Sequence, residues 1–231
     1  SRIRTADINA FLIKSAEDGL SHGTLRKLRM TASQIFKYAI QNRVIDFNPA
    51  DYAAVPDGSG SNKRRALSED EQRIVREFPH RAQTAAMIMM YAGLRRGELL
   101  ALTWPDIDIP AKTIIVNKSV EFIDGGNPHV KFGTKTDAGN RIIPMPDILI
   151  DYLSNVQRKS LIVCPSASGK YMSETSWRRM WHSYMLDINV EYGAAKGMNK
   201  RRPGGIPLSI EFTAHYLRHT YATLLYKSGV D

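Results

Sequence analysis

The chain has 231 residues and a formal net charge of +9, with 32 lysines and arginines against 23 aspartates and glutamates. Its composition, 43% hydrophobic and 24% charged, is that of a globular protein, and it lacks both an apolar run of membrane-spanning length and a signal-peptide core. The single cysteine excludes an internal disulfide and fits a reducing cytosol, while the excess positive charge favours a polyanionic partner, nucleic acid before an anionic membrane surface.

Residues 1–55 are predicted to form a small helical unit. Thr5 can cap a first helix that ends at Gly19, and a second helix starts at Thr24 with apolar residues at helical spacing. The other face of this second helix is basic, and it fits either a DNA backbone or ordinary solvated surface. The basic residues of that face are Arg26, Lys27, Arg29 and Lys37.

Residues 56–66 are predicted to be a linker, because the segment from Pro56 to Asn62 is rich in glycine and serine. Three consecutive basic residues, Lys63, Arg64 and Arg65, make the end of the linker a candidate DNA contact. A capping box from Ser68 to Glu71 then opens a second domain, which we assign to residues 67–231.

This second domain is predicted to be mainly helical. A β region includes residues 113–116 and a hairpin that joins residues 130–132 to residues 141–144. The segment 85–91 is apolar almost all round, which predicts a buried helix, and further helices are expected at 148–156, 174–190 and 215–228. The fold class is therefore mainly α with a small antiparallel β-sheet, an α+β protein.

Three short segments carry the candidate chemistry. His215 and Arg218 stand three apart on a predicted helix, so both side chains point to one place. Arg95 and Glu98 have the same spacing at the start of another helix, and Lys135 lies in the predicted hairpin. Taken singly, each segment has an ordinary explanation: a helix surface, an intrahelical salt bridge, or a solvated lysine at a sheet edge.

The order of the three segments is more specific than any one of them. The chain reads G-L-R-x-x-E from Gly93 to Glu98, K-T-x-x-G-x-R-x-I-P from Lys135 to Pro144, and H-x-L-R-H-T-x-A-T from His215 to Thr223. Together they resemble the tyrosine recombinase family of phage and transposon integrases. The amino-terminal unit is similar to the core-type DNA-binding domain of that family, with Y-A-I at 38–40 and N-P-A at 48–50.

The resemblance implies a role for each motif residue. Arg95 and Arg218 would hold the non-bridging oxygens of the scissile phosphate, and Lys135 would protonate the leaving 5′ oxygen. His215 would assist proton transfer, and Glu98 would hold the cationic groups in place. Fixed guanidinium groups suit this work, because they stabilise a highly anionic transition state more than the ground state.

The resemblance also implies features that the 231 residues do not contain. The family's nucleophile is a tyrosine on a helix after the H-x-L-R-H-T motif, and the chain ends before that position, so no nucleophile is assigned here. Tyr216, Tyr221 and Tyr226 lie within the motif helix and are expected to pack or face solvent. We therefore expect a fragment of a longer integrase, without an arm-binding domain before Ser1 and inactive in cleavage.

The expected function is DNA breaking and rejoining through a 3′-phosphotyrosine, for integration or excision of a mobile element. The family acts on double-stranded DNA as a homotetramer without a cofactor, and the chain shows no paired acidic ligands for a metal; the need for a directionality partner stays open. Two alternatives remain: a type IB topoisomerase, whose cleavage chemistry is closely similar, and a DNA-binding protein that retains a catalytically dead fold.

Overall fold

The computed structural model describes residues 3–59, 65–133, 140–199, 205 and 207–229. The chain forms two compact units, an amino-terminal unit Ser1–Lys63 and a carboxy-terminal unit Arg64–Asp231. Within the described ranges, no helix is both long and apolar enough to cross a lipid bilayer.

The amino-terminal unit is built on two helices, α1 (Thr5–Glu17) and α2 (His22–Gln41). Leu12 of α1 and Leu25 of α2 are fully buried, and they form a small core with Ala53. The second helix begins two residues before the predicted start at Thr24, because Ser21 caps it and its hydroxyl accepts a hydrogen bond from the Thr24 amide. The cap of α1 is likewise Arg4 instead of the predicted Thr5.

The carboxy-terminal unit contains six α-helices and five strands among its described residues. In chain order, these are α3 (Glu69–Glu77), α4 (Gln83–Ala92), α5 (Arg96–Ala101), β1 (Ile107–Asp108), β2 (Thr113–Val116), β3 (Lys118–Ile123), β4 (Asn127–Phe132), β5 (Arg141–Pro144), α6 (Asp147–Ser154), α7 (Glu174–Glu191) and α8 (Ala214–Lys227). The predicted α+β class is confirmed, with small antiparallel sheets beside a majority of helix.

The strand pairing differs from the sequence prediction. Strand β4 does not pair with β5: it pairs with β3 as a hairpin, while β5 pairs with β2 in a separate sheet of order β1-β2-β5. The turn of the β3–β4 hairpin, residues 124–126, has positive φ at all three positions. Because two of these three residues are glycines, the tight turn causes little backbone strain, and a short connection can join β3 to β4.

Helix α4 is the centre of the carboxy-terminal core. Its residues Ala85 to Met90 are at most 2% exposed, which confirms the predicted buried helix. Helix α8 packs along α4 and contributes Leu217, which is fully buried. The buried helix α4 therefore places Gly93, the residue that follows it, against Arg218 and Tyr221 of α8.

Candidate active site

The turn between α4 and α5 carries the first group of site residues. Gly93 ends α4 in the left-handed conformation, with φ of +62°, and its Cα lies against the ring of Tyr221 on α8. Arg95 is the residue before α5, and the Glu98 side chain accepts a hydrogen bond from the Arg95 amide at 2.8 Å. The same carboxylate therefore caps helix α5 and binds the cationic groups of the site.

Glu98 is almost fully buried, and its carboxylate has four hydrogen bonds with the residues that the structure describes. Oε1 accepts from the side chains of Arg95 at 2.9 Å and Arg141 at 3.0 Å. Oε2 accepts from the Arg95 amide and from Arg141 at 2.7 Å. Burial raises the pKa of Glu98, but the hydrogen bonds from Arg141 and Arg95 outweigh it and hold this pKa at about 2. Glu98 is therefore ionised at neutral pH.

Helix α8 carries the second group. Arg218 is partly buried, and its guanidinium donates a hydrogen bond to the carbonyl oxygen of Gly93. Burial lowers the pKa of Arg218, and the positive charge of Arg95 lowers it further, yet an arginine stays protonated in this range. His215 lies one turn earlier on the exposed side of α8, with its ring edge-on to that of His219 at 4.9 Å between centroids.

Both groups of residues open into one cleft of about 980 Å³ within the carboxy-terminal unit. Arg95, His215 and Arg218 line it, and Trp177 and Trp181 of α7 form part of its apolar wall. The Arg95 side chain is 63% exposed, so most of its guanidinium donors are accessible to a ligand. Three basic side chains at the wall of one cleft can bind a dianionic or monoanionic phosphate group.

The structure thus brings together four of the predicted site residues: Arg95, Glu98, His215 and Arg218. Lys135 lies outside the described residues, as do Lys63 and Arg64. Sequence reasoning missed Arg141, which binds both oxygens of Glu98. The signal for it was present, because Arg141 is the arginine of the K-T-x-x-G-x-R-x-I-P motif.

The basic residues that were predicted to contact DNA differ in their exposure and in their partners within the chain. Arg26, Lys27 and Lys37 are exposed on α2, whereas Arg29 is partly buried and donates to the Asp51 and Ala53 carbonyl oxygens. Arg65 forms a bidentate ion pair with Glu71, at 2.5 and 2.6 Å. Arg29 and Arg65 therefore have partners within their own units, which leaves fewer donors for an external phosphate.

The three tyrosines of α8 also differ in their surroundings. Tyr216 is partly buried against the core, and Tyr221 packs on Gly93. Tyr226 is 81% exposed at the far end of the helix. No group of histidine, cysteine and acidic residues in the described ranges could hold a metal ion.

Known proteins of one family are similar to this chain. The model of the phage integrase family matches residues 64–231. The chain is 26% identical to a XerC-like tyrosine recombinase of Caldanaerobacter subterraneus over 100% of its own length and 62% of that protein. It is 22% identical to the transposase of transposon Tn916 from Enterococcus faecalis, over 99% of the chain and 58% of that protein. The chain therefore spans about three fifths of the length of these curated relatives.

Solved structures share the fold. The Tn1549 transposon integrase in complex with a circular intermediate DNA superposes with a TM-score of 0.75 at 21% identity, covering 99% of this chain and 74% of that one. A lambda integrase tetramer bound to a Holliday junction gives 0.63 at 21% identity, covering 99% and 61%.

Proposed function

Because this chain belongs to the phage integrase family, we propose that it acts as part of a site-specific DNA recombinase. The proposed reaction is cleavage and rejoining of DNA through a 3′-phosphotyrosine intermediate, for the integration or excision of a mobile element. The observation that supports the proposal most is the convergence of Arg95, His215 and Arg218 on one cleft.

The chemistry of the site fits phosphoryl transfer. As the phosphorus is attacked, negative charge builds on its non-bridging oxygens, and guanidinium groups fixed beforehand stabilise that charge without reorganisation. Arg218 is held by the Gly93 carbonyl oxygen and Arg95 by Glu98, so both are fixed before DNA arrives. His215, with its exposed ring, is the proposed hydrogen-bond donor and proton-transfer group. Lys135 is the proposed general acid for the leaving 5′ oxygen.

The proposed partner is double-stranded DNA. The net charge of +9 and the exposed basic residues Arg26, Lys27 and Lys37 on α2 support it.

We assign residues 1–55 to a core-type DNA-binding domain, 56–66 to a linker and 67–231 to the catalytic domain. A homotetramer on DNA is proposed by likeness to the lambda integrase complex, and a directionality partner remains open to experiment.

The cleavage test uses the native protein with all of its flanking sequence, because the chain spans only part of its relatives. The protein is incubated with nicked duplex from the ends of the element, and covalent protein–DNA adduct is measured on a denaturing gel. Arg218→Ala should slow adduct formation by about 10²–10³-fold, the usual effect of losing one preorganised donor.

Lys112→Ala is the matched control. It removes a cation bound to Asp147 on the surface of the same unit, away from the residues that line the cleft. This variant should form adduct at the wild-type rate. Tight DNA binding without any adduct would favour a binding protein with a dead catalytic fold, and relaxation of supercoiled DNA without sequence preference would favour a topoisomerase.

A further inference from the structure

Arg141 does not line the cleft, but it binds Glu98, the carboxylate that also binds Arg95. It begins strand β5, where it pairs with Val116 of β2. From this position its guanidinium crosses to helix α5 and binds both oxygens of Glu98, at 2.7 and 3.0 Å. A bidentate arginine–carboxylate pair fixes orientation as well as distance, so Arg141 joins the β1-β2-β5 sheet to the start of α5.

The exposure of the two arginines on Glu98 separates their roles. The Arg95 side chain is 63% exposed, whereas that of Arg141 is 26% exposed. Arg141 uses both ends of its guanidinium fork on Glu98, while Arg95 uses one end for Glu98, and its other end has no hydrogen bond to the described part of the chain. Arg95 is therefore the arginine available to a ligand, and Arg141 is the one committed to the protein.

Removing Arg141 would change the interaction between the Glu98 carboxylate and the Arg95 guanidinium. The buried carboxylate would lose two of the four hydrogen bonds that it has with described residues, and Arg95 would be the one arginine partner left among them. A buried charge with too few partners binds those that remain more strongly. The guanidinium of Arg95 would then be drawn toward Glu98 and away from an incoming phosphate.

Electrostatics support the same arrangement. Burial has the largest effect on the pKa of Arg218 and lowers it. The charges of Arg95 and Arg141 lower this pKa further and that of Glu98 raises it, so all four charges interact. Three guanidinium groups this close would repel one another without the carboxylate between them. Glu98 offsets part of that repulsion only while it is ionised and held in place, and Arg141 makes the shortest of its hydrogen bonds.

We propose that Arg141 is a positioning residue of the cleavage site: it holds the Glu98 carboxylate, which in turn sets the Arg95 guanidinium for the scissile phosphate. Arg141 itself does not touch the phosphate. This inference rests on the proposed recombinase function, and its test therefore includes a control for that function.

The test is a double-mutant cycle in the native full-length protein. Single-turnover cleavage of nicked duplex, DNA affinity and melting temperature are measured for wild type, Arg141→Ala, Arg95→Ala and the double variant. Arg141→Ala should slow cleavage by about 10–100-fold, by analogy with the loss seen when the hydrogen-bond partner of a metal-ligating residue is removed. DNA affinity should change less than about threefold, because most phosphate contacts are elsewhere.

The decisive comparison is the effect of Arg141→Ala when Arg95 is already absent. Because Arg141 acts through Arg95, the loss should shrink to less than about threefold in the Arg95→Ala background. A residue with a purely structural role would slow cleavage by the same factor in both backgrounds. Arg141→Lys should give an intermediate rate, since one ammonium group binds a carboxylate less specifically than a fork.

Several outcomes would overturn the proposal. These are wild-type cleavage by Arg141→Ala, an equal loss in both backgrounds, or a parallel fall in rate, DNA affinity and melting temperature. If Arg141→Ala does not fold, the cycle is repeated with Arg141→Lys, and a wild-type rate in that variant counts against the proposal. Adduct formation by wild type and Lys112→Ala keeps the recombinase function in place whatever Arg141 does, whereas its absence from both would refute the function instead.

Discussion

Gly93 joins the two groups of site residues, and replacing it by alanine tests how tightly α4 and α8 are coupled. A Cβ built on Gly93 would overlap Cδ1 of Tyr221 and lie 2.6 Å from its Cε1, far inside van der Waals contact. The φ of +62° is also a conformation that an alanine adopts only with strain. The change therefore adds two separate penalties, one from the backbone and one from the Tyr221 ring.

The magnitude follows from these two penalties. An L-residue in the left-handed region costs about 1–2 kcal/mol, and overpacking a well-filled site costs about 1–3 kcal/mol. Gly93→Ala should therefore lower the free energy of unfolding of the carboxy-terminal unit by about 2–5 kcal/mol. It should also displace the carbonyl oxygen that binds Arg218, so cleavage by the native protein should weaken as well.

The assay is urea unfolding followed by tryptophan fluorescence. All three tryptophans, at positions 104, 177 and 181, belong to the carboxy-terminal unit, so the signal reports that unit alone. Gly125→Ala is the matched control, because Gly125 has φ of +77° with nothing within 4 Å of the added Cβ. The control should show only the backbone penalty of about 1–2 kcal/mol.

The steric part of the reasoning has its own check. In the Tyr221→Ala background the ring is gone, so the additional cost of Gly93→Ala should fall to that of Gly125→Ala. If Gly93→Ala is no more destabilising than Gly125→Ala in the wild-type background, the contact with Tyr221 does not constrain the turn. In that case, α4 and α8 are not coupled through this contact.

Three further predictions concern charge. Glu98→Gln should lower the free energy of unfolding at pH 7 by about 3 kcal/mol, because the pKa of Glu98 is about 2 in the folded protein against the ordinary 4.5. Urea titrations should show the whole loss of stability above about pH 4.5, and the loss should vanish as the pH falls toward 2. Lys118→Met should lower the free energy of unfolding by about 3–5 kcal/mol, since it leaves the buried Asp106 carboxylate without its cation. Recovery of stability in the double variant with Asp106→Asn would confirm this cause, and a loss below about 1 kcal/mol would contradict it. Lys27→Ala and Lys37→Ala should each reduce the slope of log DNA affinity against log salt concentration by about 0.9 if each lysine binds one phosphate. Unchanged slopes in anisotropy titrations would show that these two residues of α2 do not bind DNA phosphates.

Much of the local structure was predictable because its causes are local. The capping box from Ser68 to Glu71 starts α3 where the sequence indicates, and the apolar segment 85–91 lies in the buried helix α4. Spacing of three along a helix likewise puts His215 and Arg218 on the same cleft. Caps, periodicity and side-chain spacing depend on neighbours within a few residues, and a single sequence displays those neighbours directly.

Strand pairing was not predictable in the same way. The sequence prediction joined residues 130–132 to 141–144, whereas the structure pairs each of these strands with another partner. Alternation of apolar and polar residues marks a strand, but it does not say which other strand completes its hydrogen bonds. That choice depends on the turn at 124–126 and on packing against the helices.

The sequence by itself determined which residues are candidates: two arginines, a glutamate, a histidine and a lysine in three ordered motifs. Only the tertiary structure decided that Gly93 and Arg218, 125 positions apart, are hydrogen-bonded, and that Arg141 reaches Glu98 from 43 positions away. The physical reason is that such contacts are made by the packing of α4, α5, α8 and β5 as a whole. No local preference of any one segment specifies them, so they exist only once the core has formed.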